Sequence, residues 1–462
     1  MNGNHSMPYR AQWIPGTTAR EPSRLANAAN SLTPTGVWLF LIGLSIVLSG
    51  IREFRLPIGG LLLQPYMIPL GLAFPFVLLL RFGKFPVVPL IGWTIFAGTY
   101  AIALLGSPST EFMSPLSEII KVAAAIVAIF TVALLVRSRT DFIFGAAGLG
   151  LAMAILALRG LQSEDQLGAD SRYIDVANKN SYSIYALPAV LLVLYIVLRF
   201  DWRNVSFRRI WFWGPMLACA GMASYGILSG SNRSGYLGLA FIVFELFIYS
   251  LLSPRFKAIG RASAWILITS ITASVIGILI WRQATSAFER RYEQTVEGTQ
   301  SDRLRLDIII ASWQLAVNNP VAGVTPQRLP YEIARRIGST YNEAEMIDTH
   351  NVFAHLLGGC GLFCIGSLFA VAGMLIFWRP KVPPGMQLGA GFYDARNLLR
   401  MMLLLWALRG LFTREVLYNP GFCMGIGLAI GLCIVEAGVS IVPKFEDQVE
   451  TRGRALQPML RA

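Results

Sequence analysis

Several uncharged apolar runs in this chain reach the ~20 residues that an α-helix needs to cross a bilayer. Composition agrees, with 55% hydrophobic residues and only 14% charged. In hydrocarbon every backbone N–H and C=O must find a partner inside the protein, which leaves helices or a closed barrel. Continuous runs, rather than roughly ten-residue segments of alternating polarity, select helices. The expected fold class is all-α: a polytopic integral membrane protein with about twelve transmembrane helices and one large external loop carrying short helices. The spans cover residues 36 to 51, 57 to 80, 85 to 106, 119 to 136, 142 to 158, 181 to 198, 210 to 230, 236 to 252, 264 to 281, 352 to 378, 398 to 412 and 418 to 437. The fifth and eleventh are short. Pro65, Pro69 and Pro75 predict kinked or partly re-entrant helices.

This divides the chain into a polar tail (1–34), spans one to nine (35–281), a hydrophilic island (282–350), spans ten to twelve (351–440) and a second tail (441–462). The first tail is rich in Asn, Arg and Pro and lacks the three regions of a cleavable signal peptide. Lys and Arg concentrate on alternate inter-span segments that include both termini, among them Arg10, Arg81, Arg137, Arg199, Arg255, Arg379 and Arg452. Basic residues stay preferentially on the cytoplasmic side, so both termini are expected inside and the island outside. A basic inner face against anionic membrane lipids accounts for much of the net charge of +13 without nucleic acid. Cys219, Cys360, Cys364, Cys423 and Cys433 all lie in apolar spans, where packing rather than a disulfide or a metal is expected. Gly421, Gly425, Gly427 and Gly431 supply a small-residue face for close helix packing.

The positive-inside tendency disfavours the arginines at the outer ends of spans: Arg159, Arg172, Arg233, Arg409 and Arg414. Guanidinium forks suit phosphate oxygens, so convergence on a lipid diphosphate explains them economically. The alternative is that each snorkels to headgroups or water. Arg233 stands in Ser231-Asn232-Arg233-Ser234-Gly235-Tyr236, a polar knot between two apolar runs. Asn232 or Ser231 can cap the following helix, whose N-terminus presents amides to an anion. A plain polar turn is the competing reading.

Within the island, Thr299 to Asp302 and Asn318-Asn319-Pro320 bound an amphipathic helix suited to the membrane face. Arg303 and Asp307 are spaced to pair, while Arg305 points elsewhere. The island closes on Thr349-His350-Asn351. An imidazole there can take a proton from a sugar hydroxyl; a capping or buried histidine is the structural alternative. His355 falls roughly 140° further round the helix, so the two histidines do not form a zinc pair. No metal-binding or nucleotide-binding motif is present, and the expected chemistry uses no metal or cofactor.

The Asn-Arg-Ser-Gly turn, the exported loop with an Arg-bearing helix followed by Asn-Pro-Val-Ala-Gly-Val, and the terminal His-Asn together resemble the bacterial O-antigen ligase and O-antigen polymerase superfamily. Arg172 and Asn178 to Ala186 are similar to that family's segment ahead of a helix. The resemblance spans roughly residues 170 to 380. It implies a GT-C-like fold in the bacterial inner membrane and an inverting, metal-independent transfer of a glycan from undecaprenyl diphosphate on the periplasmic side. By position, Arg233 and Arg303 would bind the diphosphate and His350 would orient or deprotonate the acceptor. Arg305, Arg172, Arg159, Arg409, Arg414, Asn232 and Asn351 are the further candidate substrate contacts. Asp302 stands where the family often has Gly, and Thr325 replaces a second Gly after Gly323, which leaves Arg305 as an alternative to Arg303. The acceptor is left open between lipid A core, a growing O-antigen or exopolysaccharide, and protein. A transporter or flippase for lipid-linked glycans is the rival class; Glu245 is the clearest deep charge that would suit it.

Overall fold

The structure, a computed structural model, describes residues 33–50, 56–58, 61–81, 83, 87–105, 113–167, 179–199, 207–229, 233–252, 300–338, 349–382, 386–439 and 441–443. Helices α1 (Pro34–Gly50), α2 (Met67–Arg81), α3 (Val87–Leu105), α4 (Met113–Leu135), α5 (Arg139–Leu167), α6 (Lys179–Arg199), α7 (Phe207–Ser229) and α8 (Arg233–Leu252) precede the island. The island contributes α9 (Gln300–Asn318) and α10 (Leu329–Ile337), and α11 (Val352–Phe377), α12 (Ala390–Gly410) and α13 (Pro420–Val439) follow it. Among the described residues, five helical segments are long and apolar enough to cross a membrane: Glu118–Leu135, Arg139–Gly160, Tyr182–Arg199, Val352–Phe377 and Pro420–Gly438. Each expected span except the ninth coincides with a helix; residues 264 to 281 lie outside the described residues.

Helix α6 is the axis of the bundle, with 94% of its apolar window buried. Helix α13 packs beside it, and its glycines serve two faces rather than the single one expected. A Cβ at Gly421 or Gly425 would strike Tyr185 or Met402, whereas one at Gly427 or Gly431 would strike α4 at Val132 or Val136. Small residues let these backbones approach closely, the packing device that replaces the hydrophobic effect in lipid.

Three expectations need correction. The second span begins at Met67, because Leu56–Ile58 (β1) and Leu61–Leu63 (β2) pair as an antiparallel ribbon flanking Gly59-Gly60. A second ribbon joins Met386–Leu388 (β3) to Ile441–Pro443 (β4), drawing the start of the expected C-terminal tail onto the bundle. The fifth and eleventh spans are not short: α5 has 29 residues and α12 has 21. Their polar residues shortened the apolar windows, but two of the charges on α12 are paired. Asp394 lies 3.5 Å from Arg199, and Arg400 lies 2.9 Å from Glu245.

The Asp394–Arg199 pair belongs to a polar layer at one end of the bundle. Arg139 donates two bonds to the fully buried Glu436, at 2.5 and 2.7 Å, and Arg199 approaches the same carboxylate at 3.9 Å. Asp141 accepts from Thr33 and Thr35 and from the Arg137 amide, tying α1 to α5. Bidentate geometry and neighbouring donors are what make a buried carboxylate tolerable.

The sharpest departure from regular helix is in α11. Gly361 has φ 75° and ψ −170°, which breaks the ladder. The Leu362 amide donates to Pro320 O at 2.8 Å instead. Gly358 O and Gly359 O take the amides of Val324 and Thr325, at 2.9 and 2.8 Å. The loop between α9 and α10 thus plugs the gap, so no amide or carbonyl of this set is stranded in the membrane. The fit leaves no room for side chains: a Cβ at Gly361 would lie 2.3 Å from Val321 O, and one at Gly323 (φ 65°) would lie 2.5 Å from the Gly359 carbonyl carbon.

Gly361→Ala should lower the melting temperature of the purified protein, since left-handed backbone alone costs about 1–2 kcal/mol for a residue with a Cβ. Thr325, with φ 76°, carries that strain already. Thr325→Gly should therefore raise stability by up to about 1 kcal/mol, the relief exceeding the added chain entropy of glycine. Thermal unfolding of the two variants in detergent checks both signs.

Candidate active site

The end of the bundle opposite the Asp141 layer collects the helix starts and turns that carry the candidate residues. Gly410 at the end of α12 packs against Val352 and Phe353 at the start of α11. Asn351 joins the same elements: its Oδ1 accepts from the Ala354 amide at 2.9 Å, capping α11, and its Nδ2 donates to Leu411 O at 3.2 Å. Both ends of that amide are engaged, so Asn351 fixes the backbone beside His350. His350 has φ 46° and an exposed side chain directly outside the α11 N-terminus. A non-glycine residue in that region is uncommon, and its immediate neighbour is pinned at two points.

Arg233 begins α8. Two residues on, a Cβ at Gly235 would lie 3.0 Å from Ser183 Cβ, and Ser183 accepts from Arg409 at 3.1 Å. Arg409 O in turn holds the amides of Phe412 and Thr413, next to the Leu411 carbonyl that Asn351 binds. This contact path runs from the start of α8 to His350 along one end of the bundle. Arg303 and Arg305 lie in the first turns of α9. That helix packs on α11, with Ser312 against Gly358, and the turn that follows it is held to Leu362 through Pro320.

Arg305 is exposed; the side chains of Arg233 and Arg303, and all of Arg172 and Asn232, lie outside the described residues. The expected Arg303–Asp307 pair shares that limit. Arg159 is half-buried, one and a half turns beyond Met153, whose carbonyl takes the Tyr182 hydroxyl proton at 2.9 Å. Arg414 opens the 3-10 helix Arg414–Tyr418 and lines a narrow hollow with Tyr100, Glu118, His355 and Tyr418. His355 is buried, its Nε2 3.4 Å from the Tyr100 hydroxyl, and Lys121 bonds Glu118 at 2.6 Å. Apart from Arg414, sequence reasoning missed this group. Its members come from four separate elements, and the one available signal was His355 itself, an imidazole inside an otherwise apolar span.

Arg409 is different from every other arginine described. It is 1% exposed, yet Nε and Nη1 have no hydrogen-bond partner and no carboxylate pairs with it among the described residues. Burying an ion costs several kcal/mol even after relaxation, whereas a helix C-terminus returns ~0.3–1 kcal/mol to a cation in its last turn. The α12 dipole therefore does not offset the burial.

Exposed imidazole on a pinned backbone, helix starts bearing arginine and a buried unpaired cation make this end suited to holding an anion beside a proton acceptor. No curated protein matches the chain. A family model described as O-antigen ligase matches residues 217–369, which run from α7 through the plugged break of α11 and include Arg233, Arg303, Arg305 and His350. Over that segment, about a third of the chain, the sequence is similar to the O-antigen ligase family.

Proposed function

We propose that this chain is a glycosyltransferase of O-antigen ligase or polymerase type in the bacterial inner membrane. It transfers a glycan en bloc from undecaprenyl diphosphate to an acceptor hydroxyl on the periplasmic side, with inversion and without a metal. The observation that carries the reading is the match of residues 217–369 to the O-antigen ligase family model, a segment that holds Arg233, Arg303, Arg305 and His350.

In this reaction His350 takes the proton of the acceptor hydroxyl as its oxygen attacks the anomeric carbon. The bond from that carbon to the diphosphate oxygen breaks, and the diphosphate leaves with the electron pair. A single displacement inverts the centre. Arg233, with Arg303 or Arg305, meets the charge that grows on the leaving oxygens, the interaction that favours the transition state over bound substrate. Arg159, Arg172, Arg414 and Asn232 guide the anionic donor, and Asn351 holds His350 in place. The acceptor is lipid A core or a growing polysaccharide; protein acceptors share the same donor chemistry. The charge that suited a transporter, Glu245, is engaged by Arg400 at 2.9 Å and is accounted for by packing.

Donor and enzyme also meet through lipid. Ile308, Ala311 and Leu315 of α9 are buried, while Leu306, Ile310, Trp313 and Val317 form an exposed stripe on the opposite face. Leu362 and Phe363 of α11 are exposed apolar residues as well. A helix apolar on two opposite faces fits against the bundle on one and hydrocarbon on the other. A spin label at Trp313→Cys in nanodiscs should be accessible to oxygen and shielded from a water-soluble nickel reagent, and the reverse would remove α9 from the membrane.

His350→Ala should reduce transfer from a purified lipid-linked donor by roughly 10²–10⁴-fold, the usual range for a lost general base. Arg233→Ala and Arg303→Ala should each cost about 10²–10³-fold in the same assay. Wild-type rates in all three variants would refute the site. Asn351→Ala removes the cap and should lower stability by about 1 kcal/mol while lowering turnover at unchanged donor affinity.

A further inference from the structure

We propose that Arg409 is the interior half of a charge pair whose other half is the diphosphate of the donor, an inference that rests on the transfer reaction above. Four observations carry it. The guanidinium is buried to 1% exposure, and only Nη2 is bonded, to Ser183. Every other strongly buried ion described is matched within the protein: Glu436 by Arg139 and Arg199, Asp394 by Arg199, and Asp141 by hydroxyls and an amide. Those matched ions lie at the opposite end, so the unmatched cation is at the end where an anionic ligand is expected. Its surroundings are also apt: Ser183 abuts Gly235 in the first turn of α8, whose N-terminus adds positive potential.

Arg409 does not need to touch the diphosphate. A fixed charge in a low-dielectric interior acts over several ångströms because little water screens it. It raises the potential of this end of the bundle toward any anion and draws the donor headgroup to the imidazole. The apo protein bears the burden of the unmatched ion, and the donor relieves it. Arg409 is thus a positioning residue, and the same change that weakens donor binding should stabilise the empty protein.

The test uses full-length wild-type, Arg409→Met and Arg409→Lys proteins in nanodiscs, with melting temperature read alone and with farnesyl diphosphate, farnesol or inorganic pyrophosphate. Arg409→Met should melt higher than wild type when empty, lose the upward shift that farnesyl diphosphate gives wild type, and raise donor KM at least tenfold with acceptor KM unchanged. Arg409→Lys, which keeps the charge, should retain part of the shift. Farnesol should give none; an equal shift from pyrophosphate assigns recognition to the phosphates rather than the lipid. A lower melting temperature for Arg409→Met with an intact ligand shift would overturn the proposal, as would unchanged donor KM. Should Arg409→Met not fold, the absence of a farnesyl diphosphate shift in wild type would overturn it equally. A wild type that shifts through Arg409 but transfers no glycan would refute the proposed function and leave this inference standing.

Discussion

A lipid-embedded backbone has no solvent to fall back on, and the site end of this protein depends on how the break in α11 meets that condition. The ladder stops at Gly361, and three backbone groups that helical geometry would have satisfied turn to the loop between α9 and α10. The exchange fixes the island to the bundle by main-chain bonds at membrane depth, where each such bond is protected from competition by water. Because Pro320, Val324 and Thr325 are held at known points on α11, the helices on either side of them are held too. The position of Arg303 and Arg305 relative to His350 is a consequence of this plug, and so is the burial of α10 through Leu329 and Ile333.

The two ends of the bundle handle charge in opposite ways. At the Asp141 end, arginines and carboxylates are saturated with one another, which makes that end a rigid base for α5, α6, α12 and α13. At the His350 end, several polar groups satisfy backbone. Asn351 caps α11, Asn419 Oδ1 accepts from the Gly421 amide at 2.9 Å, and Trp406 donates to Val416 O at 3.0 Å. These bonds order the turns and leave the Arg409 guanidinium without a carboxylate among the described residues. Such a division suits an enzyme that must keep its scaffold fixed while reserving electrostatic energy for a substrate.

Much of this was legible in the sequence because lipid imposes a coarse code. Long apolar runs and alternating basic segments gave the helices, and Asn318-Asn319-Pro320 gave the end of α9 at the residue observed. What was not legible depended on partners distant in the chain. The run Gly358-Gly359-Cys360-Gly361 reads as ordinary small-residue packing until Pro320 to Thr325 is seen against it. The length of α12 was concealed because Asp394 and Arg400 look hostile to a membrane until Arg199 and Glu245 are placed beside them. The hollow of Tyr100, Glu118, His355 and Arg414 joins residues that share no periodicity.

Thr325 joins these strands. At Thr325 φ is 76°, a region that a β-branched residue enters only under strain. The Thr325 amide must still reach Gly359 O, so the loop cannot relax without releasing a carbonyl into the bundle. Strain is therefore retained at the plug, just as an unmatched charge is retained at Arg409 and left-handed backbone at His350. Three local rules are broken within the elements that meet at one end of the bundle, while the opposite end pairs its charges. Conflict between local preference and tertiary structure, concentrated in this way, is what distinguishes a site from a scaffold.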